Sequence, residues 1–302
     1  MSTAQSPLVV VCGATGSQGS SVAQYLLRDG GYRVRALTRN PASDKVQSLK
    51  KQGAEIFGCD LVDKEQVKAA LNGAYAVFGV TNFWEHGEDS EIRQGINLAD
   101  AAIANRLEHF VWSSCPHIQG EAPRHWESKV QVDRYLREHG VPTTTVFSSF
   151  YYQNLWMFFP PKRLPDGSLI LDWIFPSEVR IPSFSVEDLG AWVLAALKSP
   201  STWIGREMKL CSEVLTPRDY AAKLSIGLDT KVLLKDVTIV EFEAIRSHVP
   251  PDVWLNIKGF WDNPHLMDEG IEMSKQLFPE LQNLEEFSKT HKDKLLAAAL
   301  PT

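Results

Sequence analysis

The segment Gly13-Ala14-Thr15-Gly16-Ser17-Gln18-Gly19 places glycine at every third position, directly after the apolar run Leu8 to Cys12. Each glycine meets a different need. Gly13 permits a tight turn, Gly16 lets backbone approach an anion with no Cβ in the way, and Gly19 lets the following helix pack closely on the strand. A helix starting here points its first N–H groups and the positive end of its dipole at whatever fills the turn, so a pyrophosphate is held without a lysine. The same spacing occurs in ordinary glycine-rich turns; the strand before it and the helix after it favour a phosphate cradle. A dinucleotide is the ligand this predicts.

Which dinucleotide depends on the end of the second strand. NAD-preferring sites commonly offer a carboxylate to the ribose 2′-hydroxyl there, whereas this chain reads Thr38-Arg39-Asn40. The planar fork of Arg39 suits a 2′-phosphate, so NADP(H) is the predicted cofactor; the competing reading is a solvated surface arginine. Asp60, with Leu61 beside it, closes the third strand at a position suited to adenine, and equally suited to capping the next helix.

Such residues need a scaffold of alternating strands and helices. Buried, β-branched runs predict strands at 8–12, 33–38, 55–59, 74–80, 109–113 and 143–147. Helical spacing between them predicts helices at 20–28, 44–52, 64–71, 92–105 and 129–139. The economical fold is α/β: a Rossmann, doubly wound, mainly parallel sheet with helices on both faces. Beyond about Phe150 the pattern changes to aromatics, prolines and irregular apolar runs. We expect residues 1–155 to form the dinucleotide-binding domain, with an amphipathic helix at 186–198 returning to it. Residues 156–302 then form a smaller, partly interleaved α+β lobe for a substrate or partner.

The 302 residues carry a formal net charge of -6 with acids and bases well mixed, which gives nucleic acid or an anionic membrane nothing to attract. Met1 to Ser6 are short and polar, predicting neither leader nor anchor and an intracellular chain, cytoplasmic with a nuclear location left open. Its 4 cysteines and 8 histidines are scattered without metal or redox spacing, so reduced thiols and no metal are expected.

With these elements in place, Gly13-Ala14-Thr15-Gly16, Thr38-Arg39-Asn40-Pro41 and Thr81-Asn82-Phe83-Trp84-Glu85 together resemble the NmrA-like family of atypical short-chain dehydrogenases. The resemblance extends through Gln94-Gly95, Lys129, Gly140-Val141-Pro142-Thr143, Tyr151-Tyr152-Gln153-Asn154-Leu155, Pro165-Asp166-Gly167 and Ser185-Val186-Glu187-Asp188-Leu189-Gly190. It implies NADP(H) contacts from Gly13 to Gln18, from Arg39, Asn40, Pro41, Ala42 and Ser43, and from Asp60, Leu61, Thr81, Phe83 and Lys129. It also implies contacts from Tyr151, Tyr152, Gln153 and Asn154. Similar proteins include reductases, a nitrogen-metabolism co-regulator and an NADPH-sensing protein, so the fold alone leaves activity open.

Typical short-chain dehydrogenases carry Tyr-x-x-x-Lys, and here the same spacing reads His125-Trp126-Glu127-Ser128-Lys129. Imidazole replaces phenol. Histidine as a residue type can donate a proton to a developing alkoxide near neutral pH, which makes His125 a candidate; a helix-start or surface role competes equally. The long stem of Lys129 suits the nicotinamide ribose, and proton relay depends on its burial. Either Ser114 or Cys115 could stand where related enzymes polarise a substrate carbonyl. The aromatics from Phe147 to Phe159 are expected to divide between core and an apolar pocket. Two functions follow: an NADPH-dependent reductase of a small carbonyl, imine or enone, or a non-catalytic redox sensor acting through a protein partner or a homodimer. A large pocket beside Tyr151 would favour the first, an exposed apolar face near Leu169 to Phe175 the second.

Overall fold

The computed structural model describes residues 6–301, so the expectation drawn from the polar start lies mostly outside the described residues. The first of its two compact units runs up to His117, resumes over Arg124–Ser148, and closes with Glu187–Met208. Strands β1 (Leu8–Val11), β2 (Arg33–Thr38), β3 (Glu55–Gly58), β4 (Ala76–Gly79), β5 (His109–Ser114) and β6 (Thr143–Phe147) pair in the order β6-β5-β4-β1-β2-β3. Every pairing among these six strands is parallel, and a further strand, Glu207–Lys209, follows β6 at the edge. The order reverses at β1, which is where a doubly wound sheet opens a crevice beyond its strand ends.

Between the strands run α1 (Ser17–Asp29), α2 (Asp44–Lys51), α3 (Lys64–Ala70), a short α4 (Phe83–His86), α5 (Glu88–Ala104) and α6 (Arg124–Glu138). Val10, Val77, Phe110 and Trp112 of the sheet bury against Leu98 and Ala101 of α5 and Val132 and Leu136 of α6. Several boundaries differ from the sequence reading, among them the start of α1 at Ser17 rather than 20, and one helix is additional to it. Helix α6 starts at Arg124 rather than 129, α5 at Glu88 rather than 92, and α4 was not anticipated. The outcome is that His125 and Glu91 sit on helices.

Helices α5 and α6 approach unusually closely. A Cβ at Gly95 would lie 2.4 Å from Val132 Cγ2, inside any tolerable contact, so only glycine permits this crossing. A similar device joins α1 to the helix Leu189–Lys198: the Ser21 hydroxyl donates to Glu187 O at 2.6 Å and accepts from Gly190 N at 2.9 Å.

The second unit comprises Ile118–Pro123, Ser149–Val186 and the chain from Lys209 onward. It holds a three-stranded sheet with Ile181–Phe184 between Phe150–Tyr151 and Glu213–Leu215. A four-stranded sheet is formed by Val232–Leu234, Leu169–Leu171, Lys162–Arg163 and Leu300–Pro301. With its helices, of which Pro217–Leu228 and Pro251–Asp262 have 12 residues each, this unit is α+β. Leu169, Leu171, Trp173 and Phe175 are buried in it, so the stretch considered as an exposed partner face is core. No helix among the described residues is long and apolar enough to cross a membrane.

Candidate functional site

Cys12 continues β1 by donating to Phe78 O at 3.0 Å, and the glycine turn then closes with Gly16 N donating to Gly13 O at 2.8 Å. A Cβ at Gly19 would lie 2.3 Å from Gly13 O and 2.5 Å from Cys12 O, so the first turn of α1 rests directly on the strand end. The residue capping α1 is Gly16, which brings no side-chain oxygen to that turn, and the turn contains no acidic residue. These are the properties of an anion cradle and fit a dinucleotide pyrophosphate. Gly13, Ala14, Thr15, Gly16, Ser17, Gln18 and Gly19 therefore form one continuous strand-turn-helix unit.

After β2 the backbone is shaped by its own side chains. Thr38 Oγ1 accepts from Asn40 N at 3.0 Å, Asn40 Oδ1 from Ala42 N at 3.2 Å, and Pro41 O from Gln47 Nε2 at 2.8 Å. Ser43 then occupies the N-cap position of α2, its side chain making no capping hydrogen bond. Arg39 projects from this loop at the surface, where it is paired: its Nη2 lies 2.6 Å from Glu85 Oε1 and its Nη1 3.2 Å from His86 Nε2. Asp60 does not cap α3; Asp63 does, accepting from Glu65 N and Gln66 N. Asp60 Oδ1 instead accepts from Val62 N at 3.0 Å, and Leu61 O is held by Asn97 Nδ2 at 2.9 Å. Asn97 went unnoticed in the sequence, where it is one polar residue within an amphipathic helix.

Lys129 is fixed by three acceptors. Its Nζ lies 2.7 Å from Glu91 Oε1, 3.1 Å from Thr81 O and 3.3 Å from Thr81 Oγ1. Thr81 Oγ1 donates to the same Glu91 oxygen at 2.9 Å, and Ser128 Oγ donates to Glu91 Oε2. The Glu91 side chain is 0% exposed and that of Lys129 12%, so a buried carboxylate faces an ammonium that keeps a narrow opening to water. The glycine crossing explains the contact: Gly95 lies one turn beyond Glu91 on α5, and Val132 one turn beyond Ser128 and Lys129 on α6. Glu91 was missed because it follows Glu88 and Asp89 in what reads as a solvated acidic run. The informative signal was Gly95 four residues later.

His125 precedes Lys129 by one helical turn and packs among rings. Its centroid is 4.9 Å from that of Trp84 and 5.8 Å from that of Phe83. Phe83 is buried whereas Trp84 is 62% exposed, so one face of this cluster is open. At the end of β5, Ser113, Ser114 and Cys115 are all buried. Burial pushes the Cys115 thiol up to about 12, opposed by the Lys129 charge and reinforced by Glu91, so it remains a neutral, weak donor. The Ser113 hydroxyl has no hydrogen-bond partner among the described residues.

Tyr151, Tyr152, Gln153 and Asn154 lie in the second unit. Tyr152 is fully buried, its hydroxyl 2.8 Å from both Ser212 Oγ and Glu213 Oε2. Gln153 Nε2 donates to Ser185 Oγ at 3.0 Å while its Oε1 accepts from Val186 N at 3.0 Å. Both side chains thus serve the interior of that unit. Asn154 opens the short helix Asn154–Met157, and the Tyr151 ring stands edge-on to Phe184. Among the described residues no group of three or more His, Cys, Asp or Glu has metal-binding geometry.

Parallel strands in this order, with a glycine cradle at the reversal point, define a Rossmann-like α/β fold whose cradle fits a dinucleotide. The chain belongs to the NmrA-like family, whose profile matches residues 5–295. It is 31% identical over 247 residues to an NmrA-like family domain-containing protein of Dictyostelium discoideum, covering 78% of this chain and 82% of that one. It is also 31% identical over 236 residues to the NmrA-like oxidoreductase cpsB of Aspergillus campestris, covering 70% of each. Among solved structures, NmrA, a negative transcriptional regulator, in complex with NADP superposes with a TM-score of 0.81 at 21% identity, covering 97% of this chain and 98% of that one.

Proposed function

We propose that this chain is an NADPH-dependent reductase of a small carbonyl, imine or enone. The observation that carries the reading is the fixed Lys129 ammonium one turn from His125, on the strand-end edge that also bears the glycine cradle. In this reading the first-turn N–H groups of α1 and residues Gly13 to Gly19 hold the pyrophosphate. Arg39 with Asn40, Pro41, Ala42 and Ser43 meets the 2′-phosphate, Asp60 and Leu61 border the adenine, and Thr81, Phe83 and Lys129 face the nicotinamide half. When bound, the dihydronicotinamide supplies a hydride.

Lys129 acts as a fixed cation, because all three of its N–H donors have acceptors. The longest contact, to Thr81 Oγ1 at 3.3 Å, is the one it exchanges for a ribose hydroxyl. His125 gives the proton to the reduced oxygen or nitrogen, and the open ring face of Trp84 beside it suits a flat substrate. The oxidoreductase naming of cpsB supports this assignment.

A second reading, a non-catalytic NADP(H) sensor acting through a protein partner or homodimer, draws on the imidazole where related enzymes carry tyrosine and on the regulator NmrA sharing this fold. Single-turnover oxidation of bound NADPH over a panel of aldehydes, imines and enones separates the two. We expect turnover with at least one substrate class. Absence of turnover across the panel, with light scattering that changes between NADPH and NADP+, would replace the reductase by the sensor. Arg39→Ala should weaken NADPH by about ten- to a hundredfold while sparing NADH.

A further inference from the structure

We propose that Glu85 is an internal competitor for the arginine that reads the 2′-phosphate, and that it sets how strongly this chain favours NADP(H) over NAD(H). The inference rests on Arg39 meeting the 2′-phosphate, as proposed above. Arg39 follows β2 and Glu85 lies on α4, just after β4; these two strands flank β1 in the sheet. The 2.6 Å ion pair therefore bridges the chain segments on either side of the glycine cradle. Arg39 Nη1 is engaged as well, 3.2 Å from the neighbouring His86 Nε2, so both terminal nitrogens of the fork already have partners from one short helix.

A carboxylate in this position satisfies the guanidinium much as a phosphate oxygen would. A phosphate monoester carries about -1.5 to -2 charges near neutrality, so it can displace a single carboxylate, but it must break the existing pair first. Glu85 then stands beside a dianion and repels it, an effect that solvent softens because the pair is exposed at the surface. NAD(H) bears a neutral hydroxyl at that carbon and leaves the pair intact. Glu85 thus penalises one cofactor and not the other. The neutral, nearly isosteric Glu85→Gln removes both the competing charge and the repulsion.

Fluorescence titration of NADPH and NADH into the full-length wild type, Glu85→Gln, Arg39→Ala and the double variant tests this, with circular dichroism to verify folding. We expect Glu85→Gln to tighten NADPH about 3- to 5-fold, the upper end of the fold-change equivalent of an exposed ion pair, and to leave NADH within about twofold. The gain should vanish in the Arg39→Ala background, because without the arginine there is nothing to compete for. Unchanged or weaker NADPH binding in folded Glu85→Gln overturns the proposal, as does equal tightening of both cofactors or a gain that survives Arg39→Ala. If Glu85→Gln has no effect while Arg39→Ala still weakens NADPH selectively, the competitor role falls and the cofactor assignment stands. If Arg39→Ala weakens both cofactors equally, the assignment itself falls, and this inference with it.

Discussion

The Glu91 carboxylate lies 2.7 Å from the Lys129 ammonium, and it is the more deeply buried member of the pair. Ser128 and Thr81 supply it with further donors, so every strong interaction of the acid is inside the protein. Taking a charge this far from water is tolerable only with such partners.

Removing the acid should therefore be costly. Glu91→Ala leaves the lysine and the Thr81 and Ser128 hydroxyls without their buried acceptor, and we expect a loss of about 3 to 5 kcal/mol, the usual cost of breaking a buried pair by deleting one partner. Urea unfolding of wild type and variant measures it. Glu91→Gln keeps the shape and one hydrogen bond to each neighbour, so it should fold better than Glu91→Ala yet bind NADPH more weakly than wild type, with Lys129 less constrained. Wild-type stability in Glu91→Ala would show that the pair contributes nothing net.

His125→Ala should separate binding from chemistry. NADPH affinity is expected to stay within a few-fold of wild type, while single-turnover reduction falls by about 10² to 10⁴, the usual worth of a positioned acid. Intact turnover in the variant would assign the proton to Lys129 or to water.

Gly16→Val should abolish binding of both NADPH and NADH in a folded protein. A Cβ here would already sit 3.3 Å from Gly13 O, and the branched methyls would occupy the path by which backbone reaches a pyrophosphate. Undiminished titration of either cofactor would remove the cradle from the site.

A pH test follows from His109. Burial pushes its imidazole down to about 4, and its Nε2 lies 2.7 Å from Thr144 Oγ1. The folded value is depressed below the ordinary value of about 6.5, so the unfolded chain takes up the proton first on acidification. Its contribution to stability is complete above about pH 6.5 and falls by about 3 kcal/mol as pH drops to about 4. Denaturant midpoints between pH 7 and 4 should decline less in His109→Phe than in wild type. Parallel declines would mean that other groups carry the acid sensitivity.

The frame of the site was legible because period-two and period-3.6 patterns and the glycine spacing are local signals, and β1, the cradle and α1 follow one another without interruption. What escaped were partners joined through space. Glu85 appeared within a family-like string, but nothing in the chain between it and Arg39 announces their ion pair. Glu91 was hidden in an acidic run. The start of α6 was placed late because Arg124 to Glu127 mix a bulky aromatic with charges, and only packing shows that Trp126 turns inward while His125 and Glu127 keep some access to water. Tyr152 had an aromatic's ordinary ambiguity, which the buried hydroxyl contact to Glu213 resolves only in three dimensions.

The glycine crossing at Gly95 and Val132 makes a polar arrangement hostage to an apolar one. A side chain at position 95 would alter none of Thr81, Glu91, Ser128 or Lys129, yet the 2.4 Å overlap would force α5 and α6 apart and leave the carboxylate short of the ammonium. A mutational scan should accordingly find position 95 as intolerant as position 129, although nothing about glycine suggests chemistry. Anyone grafting this lysine site onto another scaffold would have to transplant the helix crossing, because four correctly chosen side chains on more widely spaced helices would never meet.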